Sequence, residues 1–302
     1  MSAQPGLLFK ARRGAPTNRE NGGRVMSRWL DPLRRALDAS SGPVTVFFRD
    51  DDAGWRDDRL FALLDRFAHY GLSIDLAVIP ADLGLALARR LQRAVRDSGV
   101  RVAVHQHGFA HIDHERTGRK CEFGPARAEA AQHRDIEMGW QRLQQLIGPL
   151  VEPMFTPPWN RCTLETARCL IDLGFHVLSR DASAAPFDVA GLAEVPIRLD
   201  WHAHRHGVRL TLPEWGAALA TAVSTTQPVG IMLHHAIIDE EEQEVILQLL
   251  AVLAEHDRVR SAGMMAVART KAAAAGADDH AFSPSGPPAR SVETRIVGQG
   301  LG

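Results

Sequence analysis

The strongest constraint on the fold is the regular alternation of apolar, strand-like segments with amphipathic, helix-like segments along most of the chain. Short apolar runs bounded by turn residues are typical of buried strands, whereas helical spacing of apolar residues indicates helices that cover a sheet. About seven repeated β-then-α units predict a parallel sheet with outer helices, closed or nearly closed into a barrel. The strand candidates are 44–49, 73–79, 100–105, 153–156, 175–179, 193–199 and 229–234. The helix candidates are 27–39, 57–70, 82–98, 126–147, 163–173, 213–225 and 239–256.

The two ends of the chain differ in composition from this alternating region. Residues 1–25 are rich in Gly, Arg, Asn and Pro and lack apolar periodicity, so we expect a disordered leader. Residues 271–302 are rich in Ala, Gly, Ser and Pro and are predicted to be a disordered tail. The residues between them, 26–270, are predicted to form the βα barrel as one domain.

The bulk composition of the 302-residue chain argues against several classes of partner. A net charge of -1 gives no electrostatic case for binding nucleic acid or an anionic membrane, and no apolar run reaches the length of a membrane span. The basic N-terminus is not followed by an apolar h-region, so no secretory signal is predicted. Cys121, Cys162 and Cys169 are expected to be reduced thiols in a cytoplasmic protein. The oligomeric state stays open.

The first strand candidate ends in three consecutive carboxylates. The apolar run Val44–Phe48 is followed by Arg49 and then by Asp50, Asp51 and Asp52. In α/β folds, ligands and catalytic groups lie at the carboxyl ends of the strands. Because like charges at close range repel unless a cation or a shared proton relieves them, the triplet indicates a divalent-metal site or an acid/base site. The alternative is a solvated loop rich in aspartate.

Two histidine pairs are spaced four residues apart. His107 and His111 follow the third strand candidate, where Gly108 permits a tight bend, and a helical turn would bring both imidazoles to one side. Imidazoles with a carboxylate suit zinc or a similar borderline cation. His202 and His206 lie in a polar stretch. We interpret that stretch as a solvated connection, with an accessory metal site as the alternative.

Two further stretches place polar residues at strand ends. In Pro157–Arg161 two prolines fix the backbone, and Trp159 offers a flat apolar face beside Asn160, as in many sugar-binding rims. A loop whose tryptophan covers the core explains the same residues. The last strand candidate ends in His234 and His235, and only one is expected to face a site because successive strand residues point oppositely. That residue is either a general acid or base, or a buried core histidine.

Together these stretches resemble the NodB-like polysaccharide deacetylases (carbohydrate esterase family 4). Their order is the family's order: an acidic motif after the first strand, His-x-x-x-His after the third, a proline-rich loop, and Leu-His on the last strand. The resemblance covers about residues 43 to 240. It implies a distorted (β/α)7-type barrel and a metal-dependent hydrolase that removes an acetyl or similar acyl group from an N-acetylated sugar or related amide. It also implies a small-molecule or carbohydrate substrate and a divalent metal ion, with Zn²⁺ favoured.

The resemblance assigns roles to the residues that match the family's motifs. Asp51 would be the general base and His234 the general acid. Asp52, His107 and His111 would be the metal ligands. In the resulting hypothesis, the base takes a proton from the attacking water, and the acid gives a proton to the leaving amine or alcohol.

Other matched positions carry supporting or alternative roles. Asp50 is the fallback for base or ligand, because a triplet leaves the register of the motif ambiguous, and His235 is the alternative acid. The pair Asp200-Trp201 looks like the family's Asp/Trp motif, whose aspartate tunes the acid histidine. The remaining substrate-contacting or orienting positions are Pro158, Trp159, Asn160 and Arg161.

One departure concerns the arginine that usually opens the family's proline-rich motif and orients the base. This chain has Thr156 there, and either Arg49 or Arg161 could substitute for it. The acidic motif also departs from the family's usual form. A divergent branch is therefore expected, with two alternatives for function: a hydrolase of a small cytosolic or cyclic amide on the same scaffold, or a non-catalytic carbohydrate-binding relative.

Overall fold

One parallel sheet organises the described part of the chain, which in this computed structural model comprises residues 27–205, 207–225 and 227–274. Its strands are β1 (Val44–Ala53), β2 (Ile74–Val78), β3 (Val102–His107), β4 (Val151–Thr156), β5 (Val177–Leu178), β6 (Ala193–Glu194) and β7 (Leu199–Asp200). A separate hairpin of β8 (His204–Arg205) and β9 (Val208–Arg209) follows. The main sheet is completed by β10 (Val229–Leu233) and β11 (Val259–Ser261).

The order of the strands places β10 and β11, the last two strands of the described residues, beside β1. The sheet runs β6-β5-β4-β3-β2-β1-β10-β7, and β11 pairs with the start of β1. Val46 of β1 is in register with Val229 of β10, and Arg49 with Asp75 of β2. Because these pairings are all parallel, the carboxyl ends of the strands meet at one face. This arrangement confirms the predicted distorted (β/α)7-type barrel.

Helices surround the sheet in the described part of the chain, and all but the last of them cover its outer side. They are α1 (Asp31–Asp38), α2 (Asp57–Tyr70), α3 (Leu85–Asp97), α4 (Glu129–Ile147), α5 (Leu164–Asp172), α6 (Leu212–Val223), α7 (Glu240–Glu255) and α8 (Met264–Ala274). Their starts carry local signals, as at α7, where the Asp239 side chain accepts a hydrogen bond from the Glu242 N–H at 2.8 Å. Such N-caps stabilise a helix by about 1 kcal/mol. None of the helices in the described part of the chain combines the length and the apolar character that a membrane span needs.

The interior of the barrel is filled by large side chains rather than forming a pore. Phe47 and Met232 pack there against Met264 and Met265 of α8. A Cβ atom at position 230 would collide with the Phe47 ring, so Gly230 makes room for that ring. Each fully buried side chain of this size stabilises the fold by roughly 1.5–3 kcal/mol. Helix α8 therefore belongs to the core, although the sequence predicted a tail from residue 271.

Several elements differ from the sequence prediction. The strand candidate 193–199 is divided into β6 and β7, and the hairpin β8–β9, strand β11 and helix α8 were not predicted. These elements are short or rich in polar and small residues, so local pattern carries little signal for them. The predicted leader, residues 1–25, and the tail beyond residue 274 lie outside the described residues.

Candidate active site and metal centre

The three consecutive aspartates lie where strand β1 becomes irregular. Its pairing with β2 shifts register between Asp50 and Ala53, and Asp52 has a left-handed φ of 68°. Such a conformation costs a non-glycine residue roughly 1–3 kcal/mol and is concentrated at functional sites. The bend directs the three carboxylates to three different partners.

Asp52 lies between the two histidines predicted as its fellow metal ligands. Its Oδ1 atom is 3.2 Å from His107 Nε2 and 3.3 Å from His111 Nε2. Ligand atoms that share one tetrahedral zinc ion stand about 3.4 Å apart, so the spacing fits a common cation. His107 Nδ1 is 3.0 Å from the Thr156 carbonyl oxygen, which leaves Nε2 facing the carboxylate. One carboxylate and two imidazoles form a donor set suited to a borderline divalent ion.

The electrostatics of this group keep Asp52 charged. Burial on its own would raise the pKa of Asp52, but contacts with His107 and His111 lower it far below the ordinary value for aspartate. For His107 the two effects act in the opposite directions. Burial on its own would lower the pKa of His107, but the carboxylates of Asp52 and Asp51 raise it above the ordinary value for histidine. Asp52 is therefore ionised at neutral pH, as a metal ligand must be.

The loop that carries His111 is bent rather than helical, contrary to the expected helical turn. Gly108 has a φ of 53°, and a Cβ atom there would collide with the carboxylate of Glu122. Buried Glu122 accepts hydrogen bonds from the N–H groups of Phe109 at 3.2 Å and Ala110 at 2.8 Å. This carboxylate fixes the path of the loop, and His111 reaches the site with a φ of 56°.

Asp51 is held by Arg49, two residues earlier on the same strand. The Arg49 Nε atom donates to Asp51 Oδ1 at 2.7 Å, and Nη2 donates to Oδ2 at 2.9 Å. The guanidinium also donates to Ser179 Oγ at 2.7 Å and to Asn160 Oδ1 at 2.6 Å. Burial alone would raise the pKa of Asp51, but Arg49 and the nearby histidines lower it below the ordinary value. Asp51 is therefore a fixed, buried carboxylate.

These contacts distinguish the two arginines considered as substitutes for the absent motif arginine. Arg49 contacts Asp51 directly, whereas the Arg161 Nη1 atom donates to the Lys120 carbonyl at 2.8 Å. Thr156, which occupies the motif position, has its Oγ1 atom 2.9 Å from His105 Nε2. In this chain the arginine that contacts Asp51 comes from β1 instead of the proline-rich loop.

The two histidines after β10 have different surroundings. His235 is buried, with Nδ1 2.6 Å from Asp50 Oδ2 and Nε2 2.6 Å from the Trp55 carbonyl oxygen. Burial would lower the pKa of His235, but Asp50 and Trp55 raise it to about 9. His234 is only half-buried. Asp50 and His235 thus pair with each other, which leaves His234 as the histidine with access to solvent.

His234 lies beside Asp200, as the Asp/Trp motif suggested. Ligand-type atoms of Asp200, His202 and His234 lie within 4.8 Å of one another. The Asp200 Oδ1 atom accepts a hydrogen bond from the His202 N–H at 2.9 Å, and burial raises the pKa of Asp200. Trp201 is buried and stacks on Trp215 with ring centroids 4.9 Å apart, which anchors this end of β7.

Aromatic rings border the metal-binding group. The Trp159 ring centroid is 4.4 Å from that of His111, and the Trp55 centroid is 4.9 Å from it on another side. Pro158, Trp159 and Asn160 form a short 3-10 turn in which Trp159 has a φ of 56° and Asn160 a φ of 59°. Strained backbone and exposed aromatic surface at one place are typical of a ligand rim.

Sequence reasoning missed three residues of this site: Trp55, Glu122 and Ser179. Trp55 follows the acidic motif by three positions, and a tryptophan so close to three aspartates is a signal that could have been used. Glu122 and Ser179 stand alone in the sequence, and only their hydrogen bonds to the His111 loop and to Arg49 connect them with the site.

The fold is that of solved polysaccharide deacetylase structures. A structure from Mycobacterium smegmatis named as a polysaccharide deacetylase is 15% identical, with a TM-score of 0.59, covering 80% of this chain and 93% of that chain. One from Pseudomonas aeruginosa PAO1, named likewise, is 15% identical with a TM-score of 0.56 and the same coverage, 80% and 93%.

A third structure extends the comparison to a carbohydrate esterase domain. The Xyl-CE4 domain of a multidomain xylanase from the hindgut metagenome of Trinervitermes trinervoides is 12% identical with a TM-score of 0.50, covering 76% of this chain and 91% of that chain. No protein-family model and no curated protein matches the sequence. The resemblance to the carbohydrate esterase family 4 deacetylases is therefore confirmed at the level of the fold.

Proposed function

We propose that this protein is a metal-dependent hydrolase that removes an acetyl or similar acyl group from an N-acetylated sugar or a related amide. The observation that carries the proposal is the convergence of Asp52 with His107 and His111, at 3.2 and 3.3 Å. The names of the structural neighbours and the two tryptophans at the rim support a carbohydrate substrate.

Asp52, His107 and His111 would hold the divalent ion, and zinc is the ion we propose. When bound, the ion polarises the acyl oxygen and lowers the pKa of a water molecule toward neutrality. Trp55 and Trp159 flank His111 and limit the approach of bulk solvent from those sides.

Asp51 acts as the general base in this proposal. Its lowered pKa keeps it ionised at neutral pH, and the two-point ion pair with Arg49 fixes the direction of the carboxylate. The carboxylate takes a proton from the attacking water while the water oxygen bonds to the acyl carbon. Arg49 thus has the orienting role that the family gives to the absent motif arginine.

His234 acts as the general acid. When the bond from the acyl carbon to nitrogen or oxygen breaks, His234 gives its proton to the leaving amine or alcohol, and a carboxylic acid is the second product. Asp200 lies beside His234, at the end of the strand that pairs with β10. His235 is unsuited to this role because both of its ring nitrogens are engaged in the interior.

The proline-rich turn supplies a donor for the oxyanion. Asn160 N–H donates to the Pro157 carbonyl at 3.0 Å and Arg161 N–H to the Pro158 carbonyl at 3.3 Å. Proline has no N–H, so the Trp159 N–H is the donor that we assign to the developing negative charge.

The proposed setting is the cytoplasm, with a small-molecule or carbohydrate substrate. Cys121, Cys162 and Cys169 are free, which agrees with a reducing compartment. The test is acetate release from a panel of N-acetylated sugars, O-acetylated sugars and cyclic amides, with and without chelator. We expect release from N-acetylated sugars that chelator abolishes and zinc restores. Metal-independent release, or tight sugar binding without any turnover, would contradict the proposal.

A further inference from the structure

A second group of potential metal ligands lies outside the Asp52 site. Asp200, His202 and His234 each offer one ligand atom, and these atoms lie within 4.8 Å of one another. In the described part of the chain this group and the Asp52 group are the two clusters of three or more such side chains. They share no residue. Asp200 ends strand β7, and His234 directly follows β10, the strand that pairs with β7.

The imidazoles of this second group have buried nitrogen atoms without hydrogen-bond partners among the described residues. These atoms are both ring nitrogens of His202 and the Nδ1 atom of His234. A buried polar atom without a partner costs roughly 1–3 kcal/mol, and native structures rarely leave three together. A metal ion bound through one nitrogen of each imidazole would account for two of these three atoms.

None of the neighbouring side chains in the described part of the chain forms a hydrogen bond with these three nitrogen atoms. The nearest additional acid, Glu242, has Oε2 4.0 Å from His202 Nε2, beyond hydrogen-bond distance. Its Oε2 atom accepts from the Asp239 N–H at 3.1 Å, and its Oε1 atom pairs with Arg209. The carboxylate that remains closest to the two imidazoles is that of Asp200, whose Oδ1 accepts only a backbone N–H at 2.9 Å.

We propose that Asp200, His202 and His234 form a second site for a divalent transition-metal ion, with zinc as the best fit. Two imidazoles and one carboxylate are the donor set of several zinc sites, and three protein ligands leave a position for solvent. Ligand atoms around tetrahedral zinc stand about 3.4 Å apart. The ligand atoms of this group lie within 4.8 Å of one another, so small side-chain rotations would bring them to that spacing. The ring centroids of His202 and His234 are 5.6 Å apart, with an interplanar angle of 80°.

The second site predicts inhibition by excess zinc, a consequence that rests on the proposed function. An ion bound to His234 occupies the lone pair that would otherwise carry the proton for the leaving group. The first equivalent of zinc therefore activates the protein, and the second inhibits it. The sequence suggested an accessory metal site for the pair His202 and His206 as an alternative, and His206 lies outside the described residues. The site proposed here is built from His202, Asp200 and His234.

Metal stoichiometry tests the site without reference to activity. Metal-free full-length protein is titrated with zinc by calorimetry, and the bound metal is counted by elemental analysis. We expect two zinc ions per chain in the wild type, one in His202→Ala and one in Asp52→Ala. His204→Ala is the matched control, because His204 is exposed on β8 and outside both clusters, and it should keep two. A single ion in the wild type, or two in His202→Ala, would overturn the proposal.

Kinetics then separate the two proposals. Acetate release by the wild type should fall at least tenfold as free zinc exceeds the amount that fills the first site. Over the same range of zinc concentration, acetate release by His202→Ala should not fall. If the wild type binds two ions but shows no hydrolysis at any zinc concentration, the proposed function fails while the second site stands. His202→Gln serves as a second variant if the alanine variant does not fold, and it should also bind one ion.

Discussion

The Nδ1 atom of His235 lies 2.6 Å from the Oδ2 atom of Asp50, which connects the end of β10 to the end of β1 across the interior. Both side chains are almost completely buried, at 1% and 0% exposure. The Asp50 Oδ1 atom also accepts the backbone N–H of His235 at 2.9 Å. Asp50 and His235 thus hold the carboxyl ends of the neighbouring strands β1 and β10 together. The residues next to them in sequence, Asp51 and His234, are the proposed base and acid.

The first prediction separates the two histidines. His235→Asn leaves Asp50 buried without its cationic partner, so we expect a loss of roughly 3–5 kcal/mol in the free energy of unfolding. His234→Asn should change that free energy by less than about 1 kcal/mol but lower kcat by roughly 10²–10⁴-fold. Urea unfolding and steady-state kinetics of both variants provide the measurements. The reverse pattern would make His235 the acid.

The second prediction concerns the orientation of the base. Arg49→Lys keeps a positive charge but cannot donate to both Asp51 oxygens, so kcat should fall by roughly tenfold or more while bound metal is unchanged. Arg161→Lys should have a smaller effect, because the Arg161 guanidinium donates to the Lys120 carbonyl. Equal losses in the two variants would argue against the assignment of Arg49.

The third prediction addresses the proposed metal ligands. Asp52→Ala removes one of three ligands and should abolish metal binding at this site together with hydrolysis. Asp65→Ala, a change at an exposed position on α2, is the control and should retain both. Elemental analysis of both variants in a His202→Ala background, which removes a ligand of the second proposed site, measures the outcome. Full retention of metal at this site in Asp52→Ala would show that Asp52 is not a ligand.

The fourth prediction distinguishes the base from the ligand within the acidic triplet. Asp51→Asn preserves the shape of the side chain but cannot accept a proton from water. We expect unchanged metal content and a decrease in kcat of roughly 10²–10⁴-fold. Turnover near that of the wild type would move the base elsewhere, with Asp50 the first residue to examine.

The fifth prediction is a pH dependence of stability that arises at the other end of the barrel. Asp75 is buried on β2, where Oδ2 accepts the Met264 N–H at 2.8 Å, and burial raises its pKa from 3.8 to about 7. Because the pKa is higher in the folded protein, this group's contribution to stability is full below pH 4 and is lost as the pH rises to about 7.

Asp75→Asn removes this titration while an amide oxygen can still accept the Met264 N–H. The variant should therefore gain stability relative to the wild type as pH rises, reaching roughly 4 kcal/mol above pH 8. Urea unfolding at pH 5 and pH 8.5 measures the difference, with Asp65→Asn as the exposed control. A difference that is the same at both pH values would contradict the buried, raised-pKa carboxylate.

The sequence predicted the barrel and placed the acidic and histidine motifs at its strand ends. Both features follow from local pattern, since apolar alternation specifies buried parallel strands and parallel strands deliver their carboxyl ends to one face. The clustering of Asp52 with His107 and His111 was implied by the resemblance to the carbohydrate esterase family 4 deacetylases. The same reasoning from local pattern did not predict helix α8, whose small and apolar residues pack in the barrel interior. It also did not predict the role of Glu122, which is distant from His111 in sequence but accepts a hydrogen bond from the loop that carries it.

By itself, the sequence determined the class of fold and the kind of chemistry at the strand ends, because both depend on residue type and periodicity. Only the tertiary structure decided which aspartate pairs with which partner, that Arg49 and not Arg161 contacts Asp51, and that His235 and not His234 is buried against Asp50. The reason is physical. A side chain's direction at a strand end depends on one or two backbone angles, such as the φ of 68° at Asp52, and those angles are fixed by packing between segments far apart in the chain.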